Sequence, residues 1–262
     1  ANSIYSYKGD IIISGNANVT ANSYYGISGN NIQISGSAVV DSTSTDDCGF
    51  WVPTGKMTIT DNAQVTASGY YPGINSIGGV EITGGTVEAV GGEGAAGIGG
   101  GVYGSGRDIE ISGGKVSATG GSYSGDPRPG AAGIGDGAGA WSEIDPDAPP
   151  SNPNHIYISG DAEVEAKAGA STGGETAAIG GGIVGEIPND ALSDDDHKVT
   201  GGSLTRYDPD GKKMEDYSYD RRTPSQPEQP DKPEQPDKPE QPDDTEDDED
   251  DDEKDCGCEH CK

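Results

Sequence analysis

The sequence predicts an all-β chain, a single-stranded parallel β-helix (β-solenoid) followed by a disordered Pro-rich and acidic tail. Three observations carry this. One apolar phrase recurs seven times between residues 11 and 206, a Gly-Ile phrase falls between its copies, and the composition favours strands. Of 262 residues only 30% are apolar, against about 45–50% in an ordinary globular protein, so a single thick core is not expected. Leu192 and Leu204 are the only leucines, against 21 isoleucines and 13 valines, and β-branched side chains suit pleated surfaces. The 44 glycines keep no strict period of three, which excludes a collagen helix.

The first phrase reads IIISGNANVTA at 11–21, IQISGSAVVDS at 32–42, MTITDNAQVTA at 57–67 and VEITGGTVEA at 80–89. It returns as IEISGGKVSA at 109–118, IYISGDAEVEA at 156–166 and KVTGGSLTR at 198–206. Alternation puts Ile32 with Ile34, and Ile109 with Ile111, on one strand face. The Gly pair turns the chain, and Val87, Val116 or Val164 then re-enters the same interior.

The second phrase, AAGIGGG at 95–101, AAGIGDG at 131–137 and TAAIGGG at 176–182, makes a third inward contact, with YYGISG at 24–29 and YYPGINS at 70–76 in the same slot. One coil is then about 21 to 29 residues, and coils this short bury their apolar edges only by stacking. Without a Walker lysine or a strand-to-helix context, the Gly-rich phrases read as corners rather than phosphate cradles. Insertions are expected at 41–56, 122–130, 138–155 and 183–197.

From Thr223 a six-residue PEQPDK period begins, and proline at every third position favours an extended spacer. Ten of the eleven residues 243–253 are acidic, a composition that cannot pack. The expected organisation is therefore a β-helix repeat domain at 1–222, a Pro-rich spacer at 223–242, and an acidic tail at 243–262 closing in a Cys/His cluster.

Sixteen basic against 46 acidic residues give a net charge of -30. That repels a phosphate backbone and excludes nucleic acid as a direct partner, while oxygen ligands in such number attract cations, calcium first. No apolar run is long enough to cross a membrane as a helix. A first residue Ala1 without an initiator Met suggests a removed signal peptide, and hence a secreted or cell-surface protein.

For carbohydrate binding the sequence offers the pairs Tyr24-Tyr25 and Tyr70-Tyr71, each just before a Gly-Ile corner, with Trp51 and Trp141 in insertions. Large aromatics there serve either as loop anchors or as platforms on which pyranose rings stack. An extended backbone would turn one member of each Tyr pair inward.

For metal, Asp61 with Asn62, Asp161, and Asp46 with Asp47 stand at coil corners and could hold calcium, although turn propensity also explains most of them. Cys256, Cys258, His260 and Cys261 supply ligands of the type zinc takes. A disulfide, covalent attachment or self-association through those cysteines stands beside that reading. No paired carboxylates, activated nucleophile or positioned arginine nominates a catalytic centre.

The SGGxVxA and AGIGGG phrases resemble those of right-handed β-helix surface proteins of Gram-positive anaerobes (Firmicutes). They are also similar to the clostridial carbohydrate-binding β-helix family. The likeness covers about residues 10–205. It implies a right-handed solenoid, polysaccharide or cell-wall glycan as partner, and bound calcium, with no site residue carried over. The Gly-His-Gly and Arg-Ile-Lys phrases of polygalacturonases are absent, and Asp126-Pro127-Arg128-Pro129 is a poor substitute for the Arg-x-Pro-x-x-Arg of pectate lyases. The expected function is a non-catalytic, adhesin-like carbohydrate-binding protein. A structural stalk or matrix component is the alternative, and a calcium-dependent polysaccharide lyase the third.

Overall fold

A computed structural model describes residues 2–124, 130–138, 155–171, 176–180 and 197–214, with the backbone of 217–218. All lie in the unit Ala1–Arg222. Trp141, Cys256, Cys258, His260 and Cys261 fall outside the described residues, as do the spacer and the acidic tail. Among the described residues there is no helix long and apolar enough to cross a membrane.

The chain is an all-β parallel β-helix in which each coil lays down strands at three positions. The first position holds β2 (Ile11–Ile13), β5 (Ile32–Ile34), β8 (Met57–Ile59), the opening of β11 (Val80–Val90) and of β13 (Ile109–Thr119), β15 (Ile156–Ile158) and β18 (His197–Val199). The second holds β3 (Asn18–Ser23), β6 (Val39–Ser44), β9 (Gln64–Ser68), the remainder of β11 and β13, β16 (Glu163–Lys167) and β19 (Ser203–Tyr207). The third is a separate sheet of β1 (Ile4–Tyr5), β4 (Ile27–Ser28), β7 (Phe50–Val52), β10 (Ile74–Ser76), β12 (Ile98–Gly99), β14 (Ile134–Gly135) and β17 (Ile179–Gly180). Described strands pair in parallel until β20 (Tyr217–Ser218) closes antiparallel on β19.

Like side chains stack in register because each coil repeats the pattern below it. Ile13, Ile34, Ile59, Ile82, Ile111, Ile158 and Val199 form one inward ladder. Val19, Val40, Val65, Val87, Val116, Val164 and Leu204 form a second. The Gly-Ile phrase supplies the third, Ile4, Ile27, Phe50, Ile74, Ile98, Ile134 and Ile179. These ladders meet in one narrow buried core, and each fully buried aliphatic contributes about 1.5–3 kcal/mol of transfer free energy. A fourth ladder of small residues ends abruptly where Arg206, itself buried, follows Ala166.

The corner between first and second positions has two lengths. In the longer form an alanine turns inward and is buried, as at Ala38, Ala63 and Ala162. In the Gly-Gly form that alanine is missing, and β11 and β13 run through the bend as continuous strands with a register shift. Outward residues of the second position alternate hydroxyl and carboxylate up the stack: Thr20, Asp41, Thr66, Glu88, Ser117, Glu165, Thr205. Like charges directly opposed destabilise a sheet, and this order keeps them two coils apart. Where Glu81 does oppose Glu110, Lys56 Nζ lies 3.1 Å from Glu81 Oε2.

The stretch 41–56 is no insertion. Asp41 to Ser44 continue β6, Phe50 takes an isoleucine's place in the core ladder, and Trp51 faces outward from β7. The coil has ordinary length, and its unlike residues hid an ordinary backbone path.

Candidate functional site

The corner between the second and third positions carries Tyr24-Tyr25, Asp46-Asp47, Tyr70-Tyr71, Glu93 and Tyr123 on successive coils. Neighbouring strands lie about 4.8 Å apart, so the two tyrosine pairs are separated by roughly 10 Å. Both members of each pair are exposed, Tyr24 and Tyr25 at 54% and 51%, Tyr70 and Tyr71 at 52% and 43%. The expectation that one ring turns inward fails because the backbone bends at both pairs, which removes the alternation of an extended strand. The rings pack edge to face instead, with centroids 4.7 Å and 5.2 Å apart, the geometry their quadrupoles prefer.

Backbone bonds to neighbouring coils hold this edge in place. Tyr70 and Tyr71 donate their amides to the Asp47 carbonyl at 3.0 and 3.3 Å. From the other side Gly92 donates to the Tyr71 carbonyl at 2.9 Å. Ser44 Oγ donates to the Tyr24 carbonyl at 2.7 Å and accepts the Asp47 amide at 2.8 Å. Pro72 fixes the backbone angle after the second pair, and its carbonyl accepts the Gly49 amide at 3.1 Å.

Trp51 stands on the adjoining sheet face, flanked in register by Ser28 and Asn75. With Asp47, Cys48, Tyr71, Pro72, Asn75 and Gly101 it lines a shallow depression of about 200 Å³. Two aromatics twenty residues apart in the sequence thus meet at one site, together with Asp47, which the sequence offered only as a corner residue for calcium, and the Asn75 amide, which it did not single out. Superposing the coils on the isoleucine ladder would have revealed them, since Asp46-Asp47 occupies the slot between the two tyrosine pairs. A second depression of about 260 Å³, lined by Ser117, Thr119, Glu165, Lys167, Tyr207 and Gly211 among others, contains one aromatic.

Two ionisable groups at this edge are displaced from their ordinary values. The hydrogen bond to Asp46, reinforced by its negative charge, raises the Tyr24 phenol. Burial pushes the Cys48 thiol well up, with the charge of Asp47 adding to the effect. Cys48 is a free, buried cysteine beneath the depression.

The proposed calcium residues do not converge. Asp61 holds a left-handed backbone at φ 59°, and its carboxylate accepts the Gly36 amide of the coil below at 2.8 Å. Asn62 follows it, exposed, on the same corner. Asp161 stands on that corner three coils further on, about 14 Å away at one strand spacing per coil. Among the described residues no three His, Cys, Asp or Glu side chains gather around a common point.

No curated protein and no solved structure matches the chain significantly. The family model described as Beta helix repeat matches residues 80–102 and 109–138, the two coils whose Gly-Gly corners lie within the longest strands, and the chain is by sequence and by register a parallel β-helix protein.

Proposed function

We propose that the protein is a non-catalytic, secreted or cell-surface carbohydrate-binding β-helix of adhesin type, which takes polysaccharide along the edge bearing Trp51 and Tyr71. The observation that supports this is the convergence of those two aromatics on one shallow depression, continued by the exposed tyrosine pairs. Rigid aromatic rings present large contact area at small entropic cost. A solenoid repeats its surface at nearly constant spacing, as a polysaccharide repeats its sugars, so successive coils can meet successive residues of one chain. Shallow, open sites of this kind bind a polymer's flank without enclosing a single bond.

The test is co-sedimentation of the full chain with a panel of insoluble and soluble polysaccharides, in calcium and in chelator, with the supernatant assayed for released sugars. Binding without release, weakened by Trp51→Ala and Tyr71→Ala while the β-sheet circular dichroism is unchanged, supports the reading. Unchanged affinity in both variants refutes it, and release of unsaturated sugars would make the protein a lyase.

A further inference from the structure

Resting on that glycan-binding reading, the chemistry of the depression narrows the ligand class: we infer that the site is built for an amino-sugar glycan carrying free ammonium groups. Its ionisable side chains are Asp47, the buried Cys48 thiol and Tyr71, and no Lys, Arg or His lines it. The same corner adds Asp46, and the coil beyond Tyr71 adds Glu93 on the same edge. A uronic-acid polymer needs a cation to meet each carboxylate, and this edge opposes it with like charge inside a Debye length of about 8 Å.

An ammonium group finds the complementary set. The faces of Trp51 and Tyr71 carry the negative part of the aromatic quadrupole, which attracts cations and, assembled around a pocket, forms an aromatic cage. Asp47 supplies a carboxylate on the same depression and is only partly buried, while Asn75 offers an amide to ring hydroxyls. The Asp47 side chain is steadied by the Cys48 amide, which it accepts at 2.8 Å through Oδ1.

Titration calorimetry of the full chain at physiological salt, in chelator, with trisaccharides of glucosamine, N-acetylglucosamine, glucose and galacturonic acid tests this. Glucosamine oligomer is expected to bind about five- to tenfold tighter than its N-acetylated counterpart, the sum of one exposed cation–π contact and one exposed ion pair. The preference is expected to shrink in high salt, and galacturonate to bind least. Because a strongly acidic chain attracts any polycation, the preference must also fall in Asp47→Asn, which keeps the acceptor for the Cys48 amide, and in Trp51→Ala. Equal affinity for glucosamine and N-acetylglucosamine overturns the inference and leaves the glycan reading standing. A preference that survives both substitutions also overturns it. Binding of none of the four sugars overturns both.

Discussion

The Asp61 carboxylate accepts the Gly36 amide of the preceding coil at 2.8 Å, from a backbone held at φ 59°. Other coils place a left-handed glycine at the equivalent corner, among them Gly15, Gly36 and Gly160. Asp61 is thus a corner residue that ties two coils together. Asp61→Ala is expected to lose about 2–3 kcal/mol, from the left-handed backbone and the lost hydrogen bond together. Asp61→Asn, which tolerates that backbone and still accepts, is expected to stay near wild type. Denaturant unfolding separates them, and equal losses in both would contradict this role.

The second Gly-Ile corner leaves no room for a side chain. A Cβ on Gly99 would stand 1.9 Å from the Gly135 carbonyl oxygen at φ +138°, and one on Gly135 would stand 2.2 Å from that of Gly180. Gly99→Ala is therefore expected to cost at least about 4 kcal/mol or to abolish folding. Gly101→Ala meets only Pro72 Cδ at 3.7 Å and is expected to fold normally while narrowing the depression beside Trp51. Thermal unfolding of the two variants gives the comparison.

Phe50 is fully buried between Ile27 and Ile74. Truncation to alanine leaves a cavity in a core one residue wide, and Phe50→Ala is expected to lose about 3–5 kcal/mol. Restoring the ladder's own residue with Phe50→Ile is expected to lose under about 1.5 kcal/mol. Should both variants unfold at the same denaturant concentration, the ladder would not be the unit of packing.

Cys48 has a thiol value raised by burial above the ordinary 9.0. A raised value means that the folded state holds its proton where the unfolded state has released it. The resulting stability is complete below the unfolded thiol value and is lost as pH rises through and above it toward the folded value. Wild type is expected to weaken with rising alkalinity over that window more steeply than Cys48→Ala. Alkylation of native protein near neutral pH is expected to be slow. Rapid labelling without unfolding would show the thiol to be accessible.

The ladders were legible in the sequence because stacking demands that each coil repeat its inward residues, so Ile34, Ile59, Ile82 and Ile111 announce one another. The path through 41–56 was legible only in part: Phe50, sixteen residues after Ile34, falls in the isoleucine slot, but no Gly-Ile phrase marks the third strand there, and the stretch reads as an insertion. The orientation of Tyr24, Tyr25, Tyr70 and Tyr71 was likewise hidden, because alternation governs an extended strand and these residues sit in a bend whose geometry is set by bonds to other coils.

What the sequence determined by itself is the parallel β-helix, through period-two alternation within strands and recurrence between them, both local properties of the chain. What only the tertiary structure decided is which outward residues become neighbours. Trp51, Tyr71, Asn75 and Asp47 share one depression, whereas Asp61 and Asp161 share a corner without meeting. The physical reason is that stacking converts separation along the chain into height, one strand spacing per coil. Bends and coil lengths then set which side chains stand level, and no residue-by-residue rule encodes that sum.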